Sequence, residues 1–241
     1  MRAISIIYRR ELGAYLRAPY AWVVAFAILL AQGILFQAHA MAGEQLSAMV
    51  LERFFWVSSG IAIAAGILLS FRLIAEERQT HSMVLLSTSP VRDSHIILGK
   101  FFAALTFLIL LLALSFYMPA LIKVNGKITF TQVFVGYLGL VFLGATVLAI
   151  GIFASALTKN QLVAALGALG ITILLCLLFP LAKKLDAPVS DVFKEMDLWW
   201  IHFQQGFMRG VLNLKDVVYY LALIYFFLLL AVKTMEAKRW Q

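Results

Sequence analysis

The sequence predicts an all-α polytopic membrane protein with six transmembrane helices. Of its 241 residues, 63% are hydrophobic and 13% are charged, and the mean hydropathy is +0.94. Soluble domains are about half apolar and roughly a quarter charged, so this chain lacks the charged residues that cover a water-exposed surface. Composition therefore excludes a soluble enzyme and a disordered protein. The single cysteine, Cys176, lies in an apolar run and can form neither an internal disulfide nor a zinc cage.

Six runs with almost no Asp, Glu, Lys or Arg predict the membrane spans. A bilayer core of about 30 Å needs roughly 20 apolar residues in a helix. We place the spans at about 18–43, 54–74, 100–122, 130–157, 161–182 and 214–233. The uncharged core of the sixth is short, but Lys233 can extend its ammonium group to the headgroups. The first run is too long for a signal-peptide core, so we expect a retained helix.

The distribution of basic residues predicts that both termini lie on the cytoplasmic side. Six spans put the termini on the same side. An N-inside orientation then places 12 of the 20 basic residues, but only five of the 12 acidic residues, in the inner segments. The positive-inside rule favours that arrangement. The net charge of +8 is thus a sign of topology, and no nucleic-acid partner is expected.

Residues 1–17 are predicted to form an amphipathic interfacial helix that precedes the transmembrane domain, residues 18–241. Its four arginines fall within one arc of about 100° on a helical wheel and would contact lipid headgroups. They are Arg2, Arg9, Arg10 and Arg17. The opposite side is apolar except for Glu11, and its members are Ile4, Ile7, Tyr8, Leu12, Tyr15 and Leu16. The helix is either a basic anchor that fixes topology or an elbow that a partner subunit can push.

Two longer loops carry further features. The predicted inner loop, residues 75–99, contains the apolar run Met83–Leu86, so we expect part of it to pack on the membrane face or on another protein. The predicted outer loop, residues 183–213, is rich in aromatic residues, as in an interfacial or partly re-entrant helix. The residues chosen there are Trp199, Trp200 and Phe203. They would form either an aromatic anchor at the outer headgroups or an outer gate or interface.

The fourth predicted span has a face of small residues, which allows close helix packing. Its glycines are Gly136, Gly139, Gly144 and Gly151. That face would serve either within one subunit or between two copies.

The sequence lacks the motifs of an enzyme. Neither Gly99–Lys100 nor Gly126–Lys127 belongs to a GxxxxGK[ST] motif, whose backbone amides cradle phosphates. No HExxH or GxSxG motif occurs, the four histidines are scattered, and no metal site is predicted. The spans also lack the ionisable residues at mid-depth that ion-coupled transporters use. We therefore expect a subunit without enzymatic activity that is driven from the cytoplasmic side.

The segment Ala75–Leu105 resembles the type-2 exporter superfamily of ABC transporter permeases. In that family, AEE+-x-T-G-[ST]-x-E-x-L-L-x-[ST]-[PS]-V follows the second helix, and Gly-Lys begins the third. The matching residues are Glu76, Glu77, Arg78, Thr80, Ser82, Leu85, Leu86, Pro90, Gly99 and Lys100. His81 and Val84 replace the usual glycine and glutamate. The stretches Gly151–Gln161 and Phe207–Tyr219 also look like patterns of the group. Permeases of gliding-motility-type systems look most similar, followed by those that serve nitrous-oxide reductase maturation.

The resemblance implies a permease subunit in a bacterial inner membrane. It would pair with a second permease copy, homodimeric by expectation, above a dimer of cytoplasmic ABC ATPase subunits that hold ATP and Mg²⁺; the subgroup also suggests an auxiliary subunit. A coupling helix in Glu76–Ser89 would contact the ATPase. The contact residues would be Glu76, Glu77, Arg78, Thr80, Met83, Leu85, Leu86 and Pro90. Two alternatives stay open: a membrane anchor or scaffold that transports nothing, and a nucleotide-independent channel.

Overall fold

The computed structural model describes residues 2–40, 47–79, 92–126, 128–186 and 188–238, and all regular structure in these ranges is helical. The helices are α1 (Arg2–Arg17), α2 (Pro19–Leu35), α3 (Ser47–Ser70), α4 (Arg72–Gln79), α5 (Asp93–Leu114), α6 (Tyr117–Asn125), α7 (Phe130–Leu157), α8 (Gln161–Ala182), α9 (Val189–Glu195) and α10 (Leu214–Lys238). Shorter π-helical or 3-10 segments are Phe36–Ala40, Trp200–Gly206 and Phe207–Arg209. The predicted all-α class is confirmed.

Within the described ranges, six stretches are long and apolar enough to cross a membrane, as predicted. They are Pro19–Ala38, Ser47–Gln79, Asp93–Val124, Phe130–Leu157, Gln161–Ala182 and Leu214–Lys238. The second stretch begins at Ser47, before the predicted start at residue 54, because a helix can continue through Glu52 and Arg53 beyond the uncharged run. Length and apolar composition together identify a multi-pass membrane protein.

Helix α7 is the centre of the bundle, and its glycines allow neighbouring helices to approach closely. Each glycine of its small face meets a side chain of the same chain. The facing residues are Phe55 at Gly136, Phe207 at Gly139, Leu108 at Gly144 and Ser70 at Gly151. A Cβ atom at Gly136 would overlap the ring of the buried Phe55, so only glycine fits. Of the two uses open from sequence, the described residues therefore show packing within the subunit.

Ser155 of α7 bridges the break between α3 and α4 at Phe71. Its Oγ donates a hydrogen bond to the carbonyl oxygen of Phe71, at 2.8 Å. The same Oγ accepts from the backbone N–H groups of Ile74, at 3.1 Å, and Ala75, at 2.8 Å. A helix start leaves such backbone donors without partners in their own helix. One buried hydroxyl thus supplies three hydrogen bonds where the backbone ladder is interrupted, and it fixes the direction of α4.

We expect Ser155→Ala to lower the melting temperature of the detergent-solubilised protein by several degrees. The change strands buried backbone groups, which costs about 1–3 kcal/mol, and about 2–4 °C of melting temperature follows from each kcal/mol in a chain of this size. The matched control is Ser70→Ala, because the buried Ser70 hydroxyl bonds only carbonyls of its own helix. Equal melting temperatures for the two variants would contradict the bridging role.

Candidate functional site

A cluster of charged side chains joins α1, α4 and α5. We call it the charged junction. Its members are Arg10, Glu11, Arg72, Glu76, Glu77 and Lys100. Helix α4 ends at Gln79, immediately before residues 80–91. The predicted coupling residues Thr80, Met83, Leu85, Leu86 and Pro90 lie outside the described residues. The other three predicted coupling residues, Glu76, Glu77 and Arg78, lie on α4, immediately before residues 80–91.

Lys100 lies at the centre of the junction and is only 2% exposed. Its Nζ is 3.2 Å from Glu11 Oε1 on α1 and 2.9 Å from Glu77 Oε1 on α4. Arg10 reaches both carboxylates from the other side, with Nη2 at 2.6 Å from Glu11 Oε1 and 3.1 Å from Glu77 Oε1. A buried ammonium is tolerated when opposite charges surround it closely. These contacts hold three helices that are distant in sequence against one another.

The junction explains why Glu11 occurs on the apolar side of the first helix. The apolar side of α1 packs on α5, and Lys100 of α5 is the counter-ion of Glu11. Burial alone would raise the pKa of Glu11, but the positive charges of Lys100 and Arg10 outweigh burial and lower that pKa. Glu11 therefore lies between the two helices in its charged form, and its negative charge is part of the contact between α1 and α5.

Gly99 allows α1 to lie directly on α5. A Cβ atom at Gly99 would be 2.7 Å from Ile7 Cγ2, which is closer than side chains pack. Farther along α1, Tyr15 is buried and its hydroxyl donates to the Leu69 carbonyl oxygen at 2.6 Å. Leu16, which the helical wheel assigns to the apolar side, is instead 41% exposed. Apart from Leu16, the apolar side of α1 therefore faces protein.

Three of the four predicted headgroup contacts on α1 have described side chains: Arg9, Arg10 and Arg17 are exposed. Arg10 is bonded within the junction as well, so only part of its guanidinium faces outward. The side chain of Arg2 lies outside the described residues. Arg9 and Arg17 therefore face outward, whereas Arg10 is exposed but also bonds carboxylates of the junction.

Arg72 and Glu76 form a second ion pair on α4, one helical turn apart. Arg72 Nε donates to Glu76 Oε2 and Nη2 donates to Oε1, both at 2.7 Å. The guanidinium also lies over the Tyr20 ring, 4.6 Å from its centroid. Bidentate pairing and the cation–π contact orient Arg72 toward the start of α2.

Arg78 and Lys238 cover the end of α7. Arg78 Nη1 donates to the carbonyl oxygen of Ala156. Lys238 Nζ donates to the carbonyl oxygens of Leu157, at 2.6 Å, and Ala156, at 3.2 Å. The last carbonyls of a helix lack intrahelical partners and carry partial negative charge, so cations stabilise them. Through Arg78, α4 is thus bonded to α7 as well as to α1 and α5.

Most of the chain matches the sequence model of a known protein family. A family model for ABC-2 family transporter proteins matches residues 7–232. The chain belongs to the ABC-2 transporter family. None of the curated proteins compared with the chain matches it. The family region contains the charged junction, so the Ala75–Leu105 resemblance and the ABC-2 match concern the same helices, while the similarity to gliding-motility-type permeases stays a prediction.

The ABC-2 match also includes the aromatic segment, which we define as residues 188–209. Trp199 Nε1 donates to Ser59 Oγ at 2.8 Å, and Trp199 contacts Trp200 at a ring-centroid distance of 4.9 Å. Trp200 stacks on Phe179 of α8. Phe203 is fully buried. The three residues chosen from sequence therefore do not share one surface, because Phe203 lies in the core while the tryptophans contact α3 and α8.

A buried polar pair that sequence reasoning did not identify fixes the aromatic segment to α10. His202 Nδ1 lies 2.7 Å from Asp216 Oδ1, and His202 Nε2 lies 3.1 Å from the Glu195 carbonyl oxygen. The imidazole stacks on Tyr219, with ring centroids 3.8 Å apart. Tyr220 donates its hydroxyl to the Leu198 carbonyl oxygen at 2.8 Å. These contacts make the segment part of the bundle.

Asp197 starts the π-helical part of the aromatic segment. Its Oδ2 accepts from three successive backbone N–H groups, those of Trp199, Trp200 and Ile201. Burial raises the pKa of Asp197, although these hydrogen bonds oppose the shift. The carboxylate thus works as an N-terminal cap in a buried position.

We expect Lys100→Met to destabilise the protein strongly, because it removes the central cation from Glu11 and Glu77, whose side chains are only 14% and 16% exposed. Removal of one partner from a buried ion cluster costs about 3–5 kcal/mol. The measurement is thermal unfolding in detergent. Lys233→Met is the matched control, because Lys233 pairs with Glu236 at the exposed end of α10 and such pairs contribute about 0–1 kcal/mol.

The triple variant Lys100→Met, Glu11→Gln, Glu77→Gln should recover part of the loss, since it removes the stranded negative charges. No recovery, or equal losses for Lys100→Met and Lys233→Met, would show that the junction contributes packing alone.

The lowered pKa of Glu11 predicts a pH dependence with a definite sign. A carboxylate whose pKa falls on folding stabilises the native state above its ordinary value of 4.5, and that contribution disappears as pH falls through the folded value. The melting-temperature difference between wild type and Glu11→Gln should therefore be largest near pH 6 and shrink below about pH 4.5. A difference that is constant from pH 6 to pH 3 would contradict the charge interaction.

Proposed function

We propose that this protein is the permease subunit of an ATP-driven ABC exporter-type complex in the bacterial inner membrane. A separate cytoplasmic ATPase dimer would supply ATP binding and Mg²⁺, since the sequence carries no GxxxxGK[ST] motif. Membership of the ABC-2 transporter family supports the assignment. The excess of basic residues at the end with the charged junction supports placing that end and both termini in the cytoplasm.

The observation that carries the proposal is the connection of α4 to three other helices. Glu77 bonds Lys100 on α5 at 2.9 Å, Arg10 bonds Glu77 from α1 at 3.1 Å, and Arg78 bonds the end of α7. Segment 80–91 follows α4 directly. A force applied to that segment would therefore reach four helices at once through short polar contacts, which is how a rigid contact converts a partner's closure into helix rearrangement.

The proposed coupling segment has the composition of a docking element. Interfaces combine apolar anchors with a polar rim. Met83, Leu85 and Leu86 would supply the anchors, and Glu76 beside Arg72 would lie at the rim. Pro90 would end the segment before α5, since proline cannot continue a helix from the preceding turn.

The complex would contain two permease copies, with a homodimer as the simplest arrangement, and the gliding-motility likeness further suggests an auxiliary subunit. A tagged pull-down from membranes in mild detergent, with and without ATP, tests the core assignment. We expect a stoichiometric soluble subunit with a Walker motif. If no ATPase co-purifies even with trapped nucleotide, the anchor or channel alternatives take precedence, and flux through vesicles without nucleotide would identify the channel.

We expect Leu85→Asp or Leu86→Asp to reduce the amount of co-purified ATPase at least tenfold without a loss of membrane insertion. A charge at an apolar anchor would have to be desolvated on docking. The matched control is Leu212→Asp, which changes an exposed leucine next to α10, far along the chain from the coupling segment. Unchanged ATPase association in both coupling variants would rule out the coupling assignment, while an equal loss in Leu212→Asp would indicate a general folding defect.

A further inference from the structure

A cavity of about 280 Å³ lies in the corner between α1, α2 and α4, next to the charged junction. Three alanines, Ala14, Ala18 and Ala21, leave the space open on the side of α1 and α2. Tyr15 and Tyr20 supply aromatic walls. The cavity is slightly smaller than the roughly 300–1,000 Å³ of pockets that enclose whole organic ligands. It has room for one compact polar group of a larger ligand, and the rest of that ligand would lie outside the cavity.

The cavity has charges of both signs in its walls. The carboxylates are those of Glu11, Glu76 and Glu77, and the cations are those of Arg72 and Lys100. Arg10 adds a third positive charge directly behind two of the carboxylates. The surroundings are therefore balanced at three charges of each sign. The carboxylates would repel a simple anion, and the basic groups would repel a simple cation. A zwitterion can place its negative group beside the basic side chains and its positive group beside the carboxylates.

Along the helix axes, the cavity lies at the level expected for lipid headgroups. Tyr20 and Trp22 lie at the start of the first span, where aromatic residues mark the membrane interface. On the facing helix, Arg72 is the first charged residue after the uncharged run Phe54–Phe71. Arg72 and Glu76 are partly exposed, whereas Lys100 is buried, so the mouth of the cavity is on the Arg72 side.

We propose that this cavity binds the phosphoethanolamine headgroup of a lipid in the adjacent leaflet. Arg72 uses two of its five N–H donors for Glu76, and the others can donate to a phosphate. The carboxylate of Glu76 accepts hydrogen bonds from the primary ammonium of the same headgroup. The acyl chains stay in the bilayer beside α2. A trimethylammonium group has no N–H to donate, and a phosphoglycerol headgroup brings no positive charge, so both bind more weakly.

The test is lipid retention by the full-length protein. Wild type, Ala18→Leu and Ala27→Leu are purified from membranes and exchanged into nanodiscs that contain equal amounts of phosphatidylethanolamine, phosphatidylcholine and phosphatidylglycerol. Native mass spectrometry after release then counts the lipids retained. Ala18→Leu fills the cavity, and Ala27→Leu makes the same change at an exposed position of α2 away from it. Ala14→Leu, at an exposed wall position, is the second filling variant in case Ala18→Leu does not fold.

We expect wild type and Ala27→Leu to retain phosphatidylethanolamine at least tenfold over the other two lipids, and the filling variants to lose that preference. Added phosphatidylethanolamine should raise the melting temperature of wild type and leave that of Ala18→Leu unchanged. Equal retention by wild type and both filling variants would overturn the site. A preference of wild type for phosphatidylglycerol or phosphatidylcholine would overturn the zwitterion assignment. Neither readout depends on an ATPase partner or on transport.

Discussion

The fold depends on burying one ammonium group at the meeting point of three helices. An isolated charge as deeply buried as Lys100 would cost several kcal/mol in lost solvation. Glu11 and Glu77 compensate that cost only when α1, α4 and α5 are all in place. The cluster is therefore an all-or-none contact, because the loss of any one helix leaves uncompensated charge in the other two. Under the proposed function, such a contact would suit an element that transmits movement and must not bend.

A small number of polar side chains orient the apolar helices around α7. At one end, Ser155 bridges the α3–α4 break, and Arg78 bonds the last turn of α7. Toward the other end, Gly139 accommodates Phe207 of the aromatic segment, and His202 bonds Asp216 of α10. Van der Waals packing alone leaves apolar helices free to slide in lipid, whereas hydrogen bonds and glycine-sized contacts select one register. Helix α7 thereby connects both ends of the molecule.

Hydropathy was sufficient to predict the class and the six spans, because the bilayer sets one length for every apolar run. It could not predict partners within the site. Glu11 and Lys100 each break an apolar pattern, and that shared irregularity was the available signal for the charged junction. Ser155, by contrast, has nothing in its local sequence that marks it, since its role depends on the position of Phe71 in another helix. Phe203 was misleading because composition does not distinguish an aromatic residue in the core from one at an interface.

The differences in packing predict which helices move together during a transport cycle. Helices α1, α4, α5 and α7 are joined by the ion pairs of Lys100 and by the hydrogen bond from Arg78 to the Ala156 carbonyl oxygen, and separating α1, α4 and α5 would expose the buried Lys100. Helix α8 contacts the bundle mainly through small side chains, among them Ala164, Ala168 and Thr172, and most of its other residues are not buried, whereas most of α7 is buried. Lipid tails are as apolar as leucine, so α8 loses little when it shifts against them. We therefore expect the four joined helices to move as one body, and α8 to slide along α7 and change the width of any pathway beside it.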